Sequence, residues 1–268
     1  MYNRREEKTS VREMDKDYML LVDTAVLAGE IMLESGAETY RVEDTIGHFL
    51  GTAGLPHAEA YVTTTGIMAT LSAPNIEAIT VVRRVKRRTT NMNRIYRVND
   101  VSRKFSGGRI ELSQALCELK HIKEVNQYSR LIKRLGIVMT AAFFCMLLGG
   151  DACETLIAAG SGAFLSALMW VGERIGLQGF LLDGLNTLLV VLATMLVCHL
   201  TRAPVREDMI IIGCIMPMVP GVAITNAIRD TLQGDYVSGA ARILEACMEA
   251  AAIAYGACIG ILLFGYLT

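Results

Sequence analysis

Carboxylates are concentrated in one short segment of the chain. Residues 30–44 contain five acidic side chains together with a tyrosine and an arginine. Closely spaced carboxylates can act as general acid and base, so this segment is one candidate site. The simpler interpretation is the solvated face of a helix, with one residue acting as a cap. The residues of this candidate motif are Glu30, Glu34, Ser35, Gly36, Glu38, Tyr40, Arg41, Glu43 and Asp44.

A second candidate site is a proline-rich stretch within an apolar segment. Pro217, Pro220 and Gly221 interrupt the apolar run 209–228. Proline lacks an amide N–H and clashes with the preceding turn, so a broken helix is predicted here. Interrupted helices in a membrane commonly form transporter binding sites, and an ordinary proline kink is the alternative. The polar residues that follow, which we predict to line a substrate or translocation site, are Thr225, Asn226, Arg229 and Asp230.

One acid lies inside the last apolar segment. Glu249 is about one turn from its beginning, and ionisable groups within a membrane are costly and usually functional. Glu249 is therefore our candidate for proton coupling. The seven cysteines form no CxxC pair and no Cys/His cluster, so no metal site is predicted. No nucleophile–base pair is visible, and we predict neither catalytic residues nor a cofactor.

The charges divide the chain into unlike halves. Residues 1–134 hold 21 of the 26 Lys and Arg, and no lysine follows Lys133. After Lys133 the chain contains apolar stretches whose lengths are close to the roughly 20 residues needed to cross the hydrocarbon core of a membrane. The sequence predicts an α-helical polytopic membrane protein with an N-terminal cytoplasmic α+β domain over residues 1–133 and a transmembrane domain over 134–268. The five predicted spans are about 135–150, 155–172, 184–200, 209–228 and 246–267.

Local patterns predict the elements of the N-terminal domain. A helix over 17–35 is expected to stop at Gly36 in a left-handed conformation. Ser35 and Glu38 have capping-box spacing, which would start a second helix that reaches about Leu50. Strands are expected at 60–71 and 77–84, with a turn at 72–75 and a third short strand near 94–98. A helical pattern resumes near Leu112 and continues toward the membrane.

The basic residues predict orientation and partners. Most of them precede the first span, which places the N-terminus in the cytoplasm of a multi-pass cell membrane protein. Arg202 and Arg206 disagree, because they fall in a loop predicted to face outward. The basic run Arg83–Arg88 lacks interleaved aromatic residues, so we predict contact with membrane lipid and no nucleic-acid binding.

Two separated motifs resemble those of the threonine/serine exporter family. The first extends from Ala28-Gly29-Glu30 to Val42-Glu43. The second comprises residues 217–221, 226–230, 234–235, 238–239 and 241–242. The resemblance covers about residue 17 to the end of the chain.

The resemblance implies a secondary exporter of small polar carboxylates, such as threonine, serine or a dicarboxylate like succinate. Fuller members of the family have a cytoplasmic domain and about ten membrane helices in two halves. This chain is similar to the larger subunit of split, two-component exporters. A smaller multi-span membrane subunit would complete the transporter, and a homo-oligomer is a further expectation. Asn226 and Arg229 would then meet the substrate carboxylate.

Two alternatives remain open from the sequence. One is a membrane-anchored, hydrolase-like enzyme with its site in the N-terminal domain, around Glu34, Glu38 and Glu43. The other is a regulatory or scaffold subunit of a transporter whose partner transports alone.

Overall fold

The computed structural model describes residues 3–74, 76–86, 88–125, 128–175, 179–201 and 204–267. Packing divides the chain into two compact units. The first unit comprises residues 1–125 and 222–243, and the second comprises 126–221 and 244–268. The sequence places residues 222–243 with the membrane helices, whereas their packing places them with the N-terminal residues.

The first unit begins with a hairpin of two helices, α1 (Asn3–Glu34) and α2 (Thr39–Leu50). Gly36 has a φ of +83°, as predicted for a left-handed stop. The N–H of Ala37 donates to Met32 O at 3.0 Å and that of Gly36 to Leu33 O at 3.2 Å, the two bonds of a Schellman motif. This motif makes Ser35 the C-cap residue of α1.

The predicted capping box is therefore wrong. Glu38 precedes α2 as its N-cap residue and makes no side-chain cap hydrogen bond. Ser35 is fully buried, and its hydroxyl has no hydrogen-bond partner among the described residues. Ser35 and Glu38 have the spacing of a capping box, but Ser35 is part of the tight turn that ends α1 and does not cap α2.

A three-stranded antiparallel sheet follows, formed by β1 (His57–Thr63), β2 (Gly66–Ala73) and β3 (Ile76–Arg84) in the order β1-β2-β3. The single strand predicted over 60–71 is wrong, because a turn between Thr63 and Gly66 divides it into β1 and β2. The strand predicted over 77–84 is confirmed as β3. Of the turn predicted at 72–75, Asn75 lies outside the described residues.

Two helices complete the N-terminal part of this unit, α3 (Met92–Ser106) and α4 (Leu112–Glu124). The strand predicted near 94–98 is wrong: Asn91 caps α3, since its Oδ1 accepts the N–H of Arg94 at 3.1 Å. Local capping outweighed the β propensity of this short stretch. The helix predicted near Leu112 is confirmed as α4. Fully buried side chains such as Ile31, Phe49 and Leu119 form the core.

The second unit is built from membrane-type helices. They are α5 (Arg130–Leu147), α6 (Ala152–Ile175), α7 (Phe180–Thr201), α8 (Glu207–Ile215) and the larger part of α10 (Tyr236–Leu267). Within the described ranges, α6, α7 and α10 are long and apolar enough to cross a membrane. A fourth candidate is α8 together with α9 (Gly221–Leu232), a pair bent by 55°. The structure thus offers three or four candidate spans, and the predicted count of five remains a prediction.

Glycines set how closely the helices of the second unit approach each other. A Cβ atom at Gly162 of α6 would lie 2.8 Å from the Cβ of Ala141 on α5. One at Gly256 of α10 would lie 2.2 Å from the carbonyl oxygen of Gly184 on α7. A side chain at either position would clash with the neighbouring helix, so only glycine permits the helices to approach this closely. The turn predicted between the first two spans is present, with Gly149 at a φ of +93°.

Candidate functional site

The helix predicted to break at the prolines is broken in the structure. Helix α8 ends at Ile215, a 3-10 turn covers Met216–Met218, and α9 begins at Gly221. The N–H of Gly221 donates to Val219 O at 2.8 Å. Neither Pro217 nor Pro220 has an N–H to extend the helix. The change from the second packing unit to the first falls at the same place, between residues 221 and 222.

After the break, α9 packs against the turn that joins α1 to α2. The side-chain amide of Asn226 donates to Gly36 O at 2.7 Å. The N–H and the hydroxyl of Thr39 donate to Oδ1 of Asp230, at 3.0 and 2.9 Å. The two motifs predicted from sequence, nearly 200 residues apart, therefore meet in one unit. Asp230 accepts a bond from the first backbone N–H of α2, a position that favours an anion.

Asp230 and Arg242 form a buried ion pair. The Nε of Arg242, on α10, lies 2.9 Å from Oδ2 of Asp230, and the side chains are 5% and 0% exposed. The Nη2 of Arg242 also donates to Ala37 O at 2.7 Å. Two charges removed from water remain charged only when each has close partners. This pair fastens α9, α10 and the turn before α2 to one another.

Arg229 and Glu38 form a second, more accessible pair. Nη1 of Arg229 lies 2.5 Å from Oε1 of Glu38, and Arg41 approaches the other oxygen at 3.5 Å. Arg229 is 55% exposed and Glu38 only 6%. Burial alone would raise the pKa of Glu38, but bonds from its own N–H and from Arg229 outweigh burial and lower it. Glu38 is therefore an anion at neutral pH, and part of the Arg229 guanidinium faces outward.

The other acids of the 30–44 segment have separate partners. Glu30 pairs with Lys123 at 2.9 Å, and Asp44 lies 3.5 Å from His48. Oε1 of Glu43 accepts the N–H of Val62 at 2.8 Å. Burial raises the pKa of Glu34 and of Glu43. In the described part of the chain, no group of three or more His, Cys, Asp or Glu is placed to hold a metal ion.

Ser35 is the nucleophile that a hydrolase-like site in this segment would use. It is fully buried, so its hydroxyl is not accessible to a substrate in this structure. Its neighbour Glu38 is held by Arg229. This geometry gives no support to the enzyme alternative.

The remaining predicted residues lie in different surroundings. Thr225 is exposed on the first turns of α9. Pro217 is half-buried and Pro220 is buried. Glu249 is half-buried on the part of α10 that belongs to the second unit.

An ion pair explains the arginine that opposed the predicted orientation. Arg206 donates from Nη2 to Oε2 of Glu154 at 2.9 Å, and its backbone N–H donates to Oε1 at 2.7 Å. Glu154 is 2% exposed. The charge of Arg206 is thus offset within the fold, which weakens it as a topology signal. Arg202, the other exception, lies outside the described residues.

Sequence reasoning missed the partners that hold the motifs together. Thr39 contacts Asp230, and Ala37 contacts Arg242, largely through backbone atoms. Such contacts cannot be predicted from the types of side chain in the sequence. Arg242 had a signal, because it is one of only five arginines after Arg134, and no lysine occurs there. A buried cation of that kind needs a carboxylate, and Asp230 supplies one.

The fold is that of a helical membrane protein with an additional unit containing a small sheet, and the motifs match a known transporter family. The family described as "Putative threonine/serine exporter" matches residues 23–264, and the chain belongs to this family.

A curated relative supports the assignment. The "Probable threonine/serine exporter" of Mycobacterium tuberculosis (strain ATCC 25618 / H37Rv) is 24% identical over 263 residues. The match covers 96% of this chain but 49% of that protein, so the chain spans about half the length of this relative. No solved structure matches.

Proposed function

We propose that this chain is one half of a secondary exporter that moves small polar carboxylates out of the cell by alternating access. Threonine, serine and dicarboxylates such as succinate are the proposed substrates. The observation that supports this most directly is the broken helix, whose second segment, α9, is bonded to the 36–39 turn. Broken helices at transporter sites expose backbone groups and charged ends to polar substrates.

The contacts of α9 also favour five spans. Residues 222–243 pack with residues 36–39 in one unit, so both lie on the same side of the membrane. An even number of crossings must then separate residue 125 from residue 222. Helices α6 and α7 provide two, so α5 and the broken segment that begins with α8 cross together or not at all. Helix α8 alone is too short to cross, so the first turn of α9 completes that span.

Packing within the second unit favours crossing by both. A Cβ atom at Gly213 of α8 would lie 2.8 Å from the carbonyl oxygen of Ala141 on α5, so the two helices touch. Helix α5 also contacts α6 at Gly162. With α10, the total becomes five, and the unit with the sheet faces the cytoplasm of a multi-pass cell membrane protein.

The break supplies groups that suit the substrate. Pro217 has no N–H to donate to the carbonyl four residues earlier, at Gly213, and within a membrane such a carbonyl needs another donor. Arg229 is 55% exposed and holds Glu38, so a substrate carboxylate would compete with Glu38 for the same guanidinium. Arg229 would collect substrate at the cytoplasmic mouth of the transporter.

About half of the M. tuberculosis relative is not matched by this chain. This chain aligns with about half of it, and an odd number of spans per half would invert one half relative to the other. A smaller membrane subunit is our proposed source of the second half, and association of identical chains is the other arrangement to be tested.

Substitution at Arg229 tests the proposed site. Cells expressing Arg229→Ala should lose at least about tenfold in the rate of threonine, serine or succinate efflux, since one charge-assisted contact is worth about 1.5–3 kcal/mol. Arg103→Ala, at an exposed position on α3, is the matched control and should export normally. Normal efflux from Arg229→Ala at equal membrane abundance would contradict the assignment.

Glu249 is the proposed proton-coupling group. Glu249→Gln should remove the dependence of efflux on the proton gradient, because the amide cannot release a proton. Glu245→Gln, one turn earlier on α10 and exposed, is the control and should retain it. An unchanged pH profile in Glu249→Gln would exclude this role.

A further inference from the structure

A cavity in the second unit is lined by basic side chains and the chain's only tryptophan. It lies between the first turns of α5 and the last turns of α6 and has a volume of about 500 Å³. Its lining has no role in the proposed transport steps. The residues that line it are Tyr128, Ser129, Arg130, Lys133, Arg134, Ile137, Ser166, Met169 and Trp170.

Positive charge dominates this cavity. Arg130, Lys133 and Arg134 line it, and among the described side chains of the lining none is acidic. The guanidinium of Arg134 lies 5.2 Å from the centre of the Trp170 ring, and that of Arg174 lies 4.2 Å from it. These cation–π contacts hold Arg134 and one further cation, Arg174, beside the tryptophan. Such a group of cations favours an anion.

A buried hydroxyl at the wall of the cavity points to a ligand independently. Ser166 of α6 lines the cavity and is 4% exposed, yet its hydroxyl has no hydrogen-bond partner among the described residues. A buried polar group without a partner costs free energy. A bound oxyanion would supply the missing acceptor.

The position of the cavity indicates which anion. Trp170 lies at the end of the apolar span Ala152–Gly172, where tryptophan marks the level of the lipid headgroups. Ile137 and Met169 add an apolar wall next to the charges. Basic pockets between membrane helices bind anionic lipid headgroups. We propose that this cavity binds the phosphate of an anionic phospholipid, with the start of its acyl chains along the apolar wall.

The single tryptophan provides a direct test. The full chain, reconstituted in phosphatidylcholine nanodiscs, is titrated with brominated phosphatidylglycerol or brominated phosphatidylcholine, and the quenching of Trp170 is measured. A specific site predicts stronger quenching by the anionic lipid at equal mole fraction. Each basic residue near an anionic lipid contributes about fivefold to binding, so the preference should be roughly tenfold or more.

Variants separate this site from general charge attraction. Arg130→Gln with Lys133→Gln removes two charges without touching the contacts of Arg134 with Trp170, and should reduce the preference by at least about fivefold. Arg83→Gln with Arg84→Gln, on β3, removes the same charge elsewhere and should preserve it. Ser166→Ala should weaken the preference. Equal quenching by the two lipids, or a preference unchanged in both cavity variants, would overturn the proposal.

Soluble competitors identify the chemistry. Glycerol 1-phosphate should reduce quenching by brominated phosphatidylglycerol, because it presents the same phosphate. Threonine and succinate should not. Competition by threonine or succinate but not by glycerol 1-phosphate would instead make this a substrate carboxylate site and contradict the lipid assignment. Because no export is measured, the result is independent of the proposed transport function.

Discussion

The buried pair of Asp230 and Arg242 should determine whether α9 stays attached to the N-terminal helices. Replacing Asp230 with alanine removes the acceptor for both Thr39 bonds and leaves Arg242 buried without its carboxylate. Breaking a buried pair by removing one partner costs about 3–5 kcal/mol. For a unit of roughly 150 residues, about 1 kcal/mol shifts Tm by 2–4 °C, so a loss of roughly 6–20 °C is expected.

The assay is thermal unfolding of the full chain in detergent, comparing Asp230→Ala, Arg242→Ala and the double variant. Either single change leaves a buried charge, whereas the double change leaves none, so the double variant should lose much less than the sum of the singles. The solvent-exposed pair of Lys104 and Asp100 is the control. Lys104→Ala should leave Tm nearly unchanged, because solvent screens that pair.

Two outcomes would refute this reasoning. A shift in Tm of less than about 2 °C in Asp230→Ala would mean that the pair is not buried in the folded protein. Additive effects in the double variant would mean that the two side chains do not interact.

Three further predictions concern pH and packing. The pKa of Glu38 is lowered in the folded protein, so its carboxylate stabilises the fold fully above the ordinary pKa of 4.5. This stabilisation is lost as the pH falls through the lower pKa of the folded state. The difference in Tm between the wild type and Glu38→Gln should therefore be constant from pH 7 to about 5 and then shrink. Burial raises the pKa of Glu34, so its ionised carboxylate destabilises the fold at neutral pH. Glu34→Gln should therefore stabilise the protein slightly at pH 7, and this gain should vanish as the wild-type carboxyl becomes protonated in acid. Destabilisation by Glu34→Gln at pH 7 would contradict the burial argument. Gly162→Ala should destabilise the protein by about 1–3 kcal/mol, because the added methyl group would meet α5. Gly160→Ala is the control and should not lower Tm, because the space around Gly160 is open. Equal Tm values for the two variants would disprove the close packing of α5 and α6.

The sequence predicted those features that follow from local chemistry. Two prolines and a glycine in an apolar segment predicted the interrupted helix, and Gly36 predicted the left-handed stop. These follow from backbone geometry, which a residue type can dictate without its neighbours.

Features that depend on tertiary contacts were predicted less well. The β-branched run 60–71 concealed a hairpin turn, since Val, Thr and Ile favour strands but do not mark where a strand reverses. Residues 94–98 form a helix because Asn91 caps it. Ser35 matched a capping box by spacing, yet the hydrogen bonds of the preceding turn use that position.

The candidate site was predicted in parts but not as a whole. Both motifs were recognised, but nothing in the sequence pairs Thr39 with Asp230 across nearly 200 residues. Arg229 was singled out for a substrate carboxylate, and the structure shows that it already holds one from Glu38. That contact could not be deduced from spacing, because it depends on α9 packing against the turn before α2.

Efflux from proteoliposomes tests the central claim most directly. The full chain is reconstituted with and without a second-half subunit, the vesicles are loaded with labelled threonine, serine or succinate, and release is followed under an imposed proton gradient. We predict rapid release of at least one of these substrates when both halves are present and none from either half alone. No release of any of them from vesicles containing both halves, or equal release when this chain is omitted, would contradict the account.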